Sequence, residues 1–276
     1  LKKVIVITGP TASGKSALAV EKALELGTEI ISADSRQIYR GIPIVTAQPT
    51  ADQLAAVPHH LVGTLPLDAY YSASMFEEDA LRIARRLLDE RGVAVVCGGS
   101  MMYVDAFCHG LDELPTVPQH IRTELMQQHA ELGDTWLLAE LERMDPQYYN
   151  LVDRRNMKRV FHAVEIIRAA GVPLTTLRTG VKKQREFEIE KIVIDMPRDI
   201  LFDRINRRVD QMVADGLEDE ARSVYHLRHL NSLNTVGLKE MFAWFDGMMD
   251  RHTAIERIKK NTRVFAKKQL TWLKKS

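Results

Sequence analysis

Cysteine is nearly absent from this chain: among 276 residues only Cys97 and Cys108 occur. Two distant thiols build neither a disulfide framework nor a zinc knuckle, so the expected setting is a reducing, cytoplasmic one. No apolar run approaches the roughly 18 residues of a membrane helix, and no membrane partner is expected. The first apolar run, Val4 to Ile7, leads straight into a glycine loop and reads as a strand rather than a leader. Internal repeats and low-complexity tracts are also lacking, which excludes a solenoid. Net charge is almost missing, at +1, on a composition of 45% hydrophobic and 27% charged residues that is ordinary for a globular protein. That neutrality is a sum of opposites: residues 1–153 carry 12 Lys+Arg against 21 Asp+Glu, whereas residues 154–276 carry 26 against 16. A basic second half is the footprint of a polyanionic partner.

What is present alternates strand, loop and helix. Val4–Ile7 predicts a buried parallel strand, followed by Gly9-Pro10 and a helix from Ala17 to Leu26. Further strands are expected at 29–32, 60–64, 93–97 and 191–195, and Ser74 with Glu77 forms a capping box that opens a helix through Leu88. Between Leu111 and Lys183 strand signals vanish; Leu125, Leu137, Leu141, Val160, Val164 and Ile167 fall at helical spacing, punctuated by prolines. In the last helix Ile255, Ile258, Phe265 and Trp272 form an expected buried stripe. Lys260, Arg263, Lys267 and Lys268 are left for phosphate contact. His59-His60 and the pair His226 and His229 lack convergent carboxylates or thiols and read as surface or core histidines rather than metal ligands.

Three loops carry the chemistry. Gly9-Pro10-Thr11-Ala12-Ser13-Gly14-Lys15-Ser16 matches G-x-x-x-x-G-K-[ST] between a strand and a helix. Its backbone N–H groups would cradle a diphosphate, Lys15 would neutralise the outer phosphate and Ser16 would hold Mg²⁺. Asp34 falls just past the second strand, on the edge where ligands bind in open α/β sheets, and can serve as a general base; the competing reading is a helix N-cap. Gln37 has the donor and acceptor pair that matches an adenine edge. Gly98-Gly99-Ser100 ends the 93–97 strand with a second set of donors and a hydroxyl that can face the phosphate cradle. The expected fold is therefore α/β. It is a P-loop NTPase-like parallel sheet flanked by helices over 1–111 and 189–276, with an inserted all-helical domain over 112–188 and a basic C-terminal helix. Neither N-K-x-D nor an acid after the 93–97 strand is present, which disfavours a GTPase switch and a motor ATPase.

In this order the motifs resemble the tRNA dimethylallyltransferase (IPP transferase) family over nearly the whole chain, from Gly9 to Trp272. Beyond the phosphate loop, the resemblance rests on Asp34-Ser35-Arg36-Gln37-Ile38-Tyr39, Thr46-Ala47, Val57-Pro58-His59-His60, Gly98-Gly99-Ser100, Met144-Asp145-Pro146, and the closing run from Thr262-Arg263 to Lys267-Lys268-Gln269-Leu270-Thr271-Trp272. It implies transfer of a dimethylallyl group from dimethylallyl diphosphate to the N6 amine of adenosine 37 in tRNAs that read codons beginning with U. Asp34 would be the base, and Thr11, Lys15, Ser100 and Arg208 would serve the diphosphate chemistry with Mg²⁺. It also implies contacts to the anticodon stem-loop from Asp34, Ser35, Arg36, Gln37, Ser100, Arg122, Lys158, Arg159, Val160, Phe161, His162, Arg263, Lys267 and Lys268. A monomer is expected. Pro43, Val45 and Gln48 depart from the family's Asp, Gly and Lys, and His162 from a frequent Arg. Alternatives are a prenyl transferase acting on free AMP or ADP, a P-loop small-molecule kinase, and a non-catalytic RNA-binding module.

Overall fold

Alternating strands and helices generate the chain's architecture, as seen in a computed structural model that describes residues 2–274. The order begins β1 (Lys3–Thr8), α1 (Lys15–Glu25), β2 (Ile30–Ser32), α2 (Ala51–Ala56), β3 (His59–His60), α3 (Ala73–Arg91), β4 (Val93–Gly98) and α4 (Met101–His109). A helical stretch follows: α5 (Gln119–Met144), α6 (Pro146–Leu151), α7 (Met157–Ala170) and α8 (Leu174–Leu177). Then come β5 (Glu188–Val193), α9 (Arg198–Ala214), α10 (Leu217–Val224), α11 (Leu238–Phe245) and α12 (Arg251–Leu273).

The strands form one parallel sheet in the order β3-β2-β4-β1-β5, with Ile5 opposite Val95 and Ile31 opposite Val96. Both faces are covered, and residue parity sorts the side chains. Val4, Val6, Ile31 and Val96 pack with α3 and α4 on one side. Ile5, Ile7, Ile30 and Val95 pack with Ala19 and Ala23 of α1 on the other. The phosphate loop, Asp34 and Gly98 therefore leave the sheet at the same carboxyl edge, because β1, β4 and β2 are neighbours.

The chain divides into two compact units, residues 1–109 with 184–276 and residues 110–183. Residues 184–188 group with the α/β unit, where Arg185 pairs with buried Glu77 and donates to the Phe107 and Ala106 carbonyls at the end of α4. In the helical unit, Leu125, Leu137 and Leu141 of α5 pack on Val160, Val164 and Ile167 of α7. Gly133, at φ 77°, supplies the kink that breaks α5 in two. Asp145 is buried and saturated: it caps α6 through Tyr148 N and binds Thr175 N and Oγ1.

Four expectations need correction. The cap of α3 is Ser72, which accepts from Met75 N; Glu77 is buried against Arg185 instead of reaching back to Ser74. The strand expected at 60–64 stops at His60, because Leu61 and Gly63 take left-handed conformations. β5 lies three residues before its expected start. It is an edge strand whose first four residues include Glu188, Glu190 and Lys191, so a search for a continuous apolar run lands late. In α12 the buried face is Ala254, Ile258, Ala266 and Gln269, while Phe265 stays 39% exposed.

Candidate active site

The phosphate loop leaves β1 at Thr8, and Gly14, at φ 93°, delivers the chain into α1. The first N–H groups of α1 have no helical partner and face outward, a ready site for an anion. Above them opens a cavity of about 430 Å³ lined by Ala12, Gly14, Lys15, Ser16, Arg204 and Arg208, among others. The Lys15 amine folds back onto the Pro10 carbonyl at 3.1 Å. Burial holds the Lys15 ammonium below the ordinary lysine range, and it does the same to the Arg208 guanidinium against the opposing pull of Asp34. Two desolvated cations over a row of free N–H groups are matched by a polyphosphate, whose charge would repay their burial. Arg208 also donates to Thr11 Oγ1 at 3.2 Å, which fixes the Thr11 side chain.

For a divalent cation, the donor set is informative. Ser16 offers a hydroxyl in the first turn of α1, and no cluster of three His, Cys, Asp or Glu side chains exists among the described residues. An all-protein cage is therefore excluded there. The residues fit a hard cation held by one hydroxyl, diphosphate oxygens and its own waters, the habit of Mg²⁺.

Asp34 caps the turn after β2 with one carboxylate oxygen. Its Oδ1 accepts from Arg36 N (2.9 Å) and Gln37 N (3.3 Å), a cap on the turn after β2. Its Oδ2 has no partner among the described residues, and Asp34 lines a second cavity of about 140 Å³ together with Thr11, Ser100 and Arg208. The far wall of this cavity is apolar, with Val209, Met212, Val236, Ile258 and the half-exposed Phe265. The Arg208 guanidinium, the Asp34 carboxylate and an apolar wall thus line one cavity of the α/β unit.

The third loop is placed differently from expectation. Ser100 Oγ accepts from Ser35 N at 2.8 Å and bonds Ser35 Oγ at 3.2 Å, so the hydroxyl braces the Asp34 turn rather than the phosphate cradle. Glycine is required at 98 because a Cβ there would lie 2.1 Å from the Ala33 carbonyl oxygen, and Ala33 N already bonds Cys97 O.

Several candidate RNA contacts turn out to be builders of this site. Gln37 donates to the Thr46 and Ala47 carbonyls and accepts from Ser32 Oγ, so both ends of its amide shape the 42–48 loop rather than face a base. Arg36, its pKa lowered by burial, holds the Asn231, Ser232 and Asn234 carbonyls. The divergent Gln48 binds the Gln37 and Tyr39 carbonyls, and the N–H groups of Ile44 and Val45 are held by Glu220, whose carboxyl burial pushes up. The loop is thus rebuilt around its substitutions. In α12, Arg263 donates to Asn206 of α9 and Lys267 lies over the Phe202 ring, while Lys260 and Lys268 stay exposed.

In the helical unit, Lys158 and Arg159 are exposed on the first turn of α7. Val160 is fully buried in that unit's core, which closes its side chain to RNA, and Phe161 packs against the same cluster. Arg122 makes a bidentate pair with buried Glu165 at 2.9 Å, and His162 binds the same carboxylate at 2.6 Å. Sequence reasoning missed Gln269 and Glu220, whereas Arg204, expected one turn from Arg208 on the same face, lies close to Gly14. A lone Gln or Glu inside a helix has no local signature, and its value appears only when its partners converge.

Comparison with known proteins identifies the family. The family model for IPP transferase matches residues 37–276. The chain is 52% identical over 271 residues to tRNA dimethylallyltransferase 1 of Bacteroides thetaiotaomicron, covering 98% of this chain and 88% of that protein. It is 50% identical over 275 residues to tRNA dimethylallyltransferase 2 of Parabacteroides distasonis, covering 100% and 92%. Among solved structures, a full-length tRNA isopentenylpyrophosphate transferase from Bacillus halodurans superposes with a TM-score of 0.71 at 34% identity, covering 100% of this chain and 88% of that one. A eukaryotic dimethylallyltransferase acting on tRNA has a TM-score of 0.84 over 99% of this chain and 70% of that one; at 23% identity it speaks to the fold alone.

Proposed function

The chain belongs to the IPP transferase family, and from that premise we propose that it moves a dimethylallyl group from dimethylallyl diphosphate to the N6 amine of adenosine 37 in tRNAs reading codons that begin with U. The observation that carries this reading is the open Oδ2 of Asp34 in a cavity that also holds Thr11, Arg208 and an apolar wall. An apolar wall beside the phosphate loop suits a five-carbon allylic chain.

The residues divide the work as follows. Backbone N–H groups of the phosphate loop, Lys15 and Arg208 bind the diphosphate, and their charge stabilises it as the allylic carbon–oxygen bond breaks. Thr11, held by Arg208, lies at the junction of the diphosphate and the Asp34 cavity. The adenosine amine forms the new carbon–nitrogen bond, and Asp34 Oδ2 takes its proton. Ser100 and Ser35 keep the Asp34 turn in place. Ser16 would hold a Mg²⁺ ion, which when bound would supply further charge neutralisation for the leaving group. The apolar wall keeps water from competing with the amine.

On the same reading, exposed Lys158 and Arg159 of the helical unit and Lys260 and Lys268 of α12 grip tRNA phosphates. No helix among the described residues is long and apolar enough to cross a membrane. We place the enzyme in the cytoplasm, with Cys97 and Cys108 reduced and buried, acting as a monomer. A competition assay tests the acceptor. With labelled dimethylallyl diphosphate and Mg²⁺, label goes to an unmodified anticodon stem-loop in the presence of excess AMP; preferential labelling of AMP would make the free nucleotide the acceptor instead.

A further inference from the structure

The last helix reaches into the donor site through one side chain. Gln269 of α12 is 2% exposed, and both ends of its amide are used. Oε1 accepts from Thr11 N at 2.8 Å, and Nε2 donates to the Gly99 carbonyl at 2.8 Å. The fit is close on every side. A Cβ on Gly99 would come within 2.6 Å of Gln269 Nε2, 3.2 Å of Gly9 O and 3.3 Å of Lys15 Cε. Gln269 thus stands where the phosphate loop, the Gly98-Gly99 loop and the Lys15 stem meet. Two turns of the same helix flank it with further anchors: Trp272 Nε1 donates to Asp105 at 2.7 Å, and Ala266 is fully buried.

Thr11 is therefore held twice, its amide by Gln269 and its hydroxyl by Arg208. Because the Thr11 N–H is spent on Gln269, it does not join the anion cradle. Its role is to set the peptide plane from which Ala12 to Ser16 continue. We propose that Gln269 is a positioning residue for the donor: it fixes the register of the phosphate loop against the Gly99 loop, so that α12 is a structural part of the diphosphate site. The inference rests on the reading of this site as a dimethylallyl diphosphate site. An amide is the side chain this position demands, since one end must accept and the other donate. Methionine has neither group. An ionised glutamate would face the Gly99 carbonyl oxygen with a second acceptor, whereas a protonated one reproduces both bonds.

The test measures binding of dimethylallyl thiolodiphosphate with Mg²⁺, and separately of tRNA, to the full chain. For Gln269→Met, which removes both hydrogen bonds, the expected result is donor affinity at least about tenfold weaker, with tRNA affinity unchanged. The Thr11 amide also loses its hydrogen-exchange protection. Gln269→Glu is expected to be equally weak at about pH 8 and to approach the wild type toward about pH 6, as the buried carboxyl takes up a proton. Should the methionine variant unfold, this pH-dependent recovery still decides the matter in the glutamate variant. Folded variants that bind donor like the wild type, or that lose donor and tRNA affinity in parallel, would overturn the inference. Wild-type protein that binds no dimethylallyl thiolodiphosphate would overturn the reading beneath it, a result distinct from equal binding by wild type and variants.

Discussion

Asp34 carries two duties on one carboxylate, and a substitution can separate them. Asparagine keeps the Oδ1 acceptor for Arg36 N and Gln37 N but cannot take a proton, whereas alanine removes the turn as well. Asp34→Asn is accordingly expected to lower kcat/KM by at least about 10²-fold with donor and tRNA affinity preserved. Steady-state transfer kinetics beside direct binding check this; a variant with near wild-type kcat would remove Asp34 from the chemistry. At this scale the placement of a residue was legible wherever a residue type and a loop position coincide, as for Gly14 and Lys15 at the start of α1 and Asp34 after β2. It was misleading at Gln37, Arg36 and Arg122. Those side chains have the right chemistry for RNA, but partners distant in sequence claim them: the Ala47 carbonyl for Gln37, Asn231 and Ser232 for Arg36, and Glu165 for Arg122.

Among the elements, α5 and α7 are joined by the most consequential polar contact of the helical unit. Burial pushes the Glu165 carboxyl up, but hydrogen bonds from Arg122 and His162 outweigh it and leave its pKa lowered. A carboxylate with a lowered native pKa contributes stability that is complete above the unfolded value and is lost as pH falls through the native one. This unit should therefore loosen on the acid side of the ordinary glutamate range. Arg122→Ala removes the bidentate partner of the buried Glu165 carboxylate, leaving the His162 contact, and is expected to cost about 1–3 kcal/mol, with Glu165→Gln in the same chain recovering part of it. Thermal unfolding of the single and double variants checks this. A single variant with unchanged Tm would return Arg122 to the surface, free to serve RNA alone. Periodicity exposed α5 and α7 because their leucines and valines repeat at helical spacing. It failed for β5, an edge strand with three charged residues among its six, and in part for α12, where Ile258 is buried as expected but Ala254, Ala266 and Gln269 complete the face and Phe265 stays exposed.

In the whole molecule, the near-zero net charge separates into two functions on one chain. The first half is acidic overall yet carries the anion site, because Gly14 and the start of α1 supply backbone dipoles and Lys15 a single buried cation. The second half brings Arg208 to the cavity above α1 and Lys158, Arg159, Lys260 and Lys268 to the surface. Parallel strand order then explains why loops 90 residues apart share one edge: β1 and β2 both neighbour β4. That arrangement could be anticipated from strand and helix alternation, whereas the bracing of the donor loop by α12 could not, since it depends on a contact across 258 positions. The central claim is that this edge prenylates an adenosine within tRNA. Nucleoside analysis of unmodified tRNA, after incubation with the protein, Mg²⁺ and dimethylallyl diphosphate, tests it most directly. The account predicts N6-(dimethylallyl)adenosine beside the anticodon of tRNAs reading codons that begin with U; tRNA whose nucleosides emerge unchanged, with active donor-binding protein present, would contradict it.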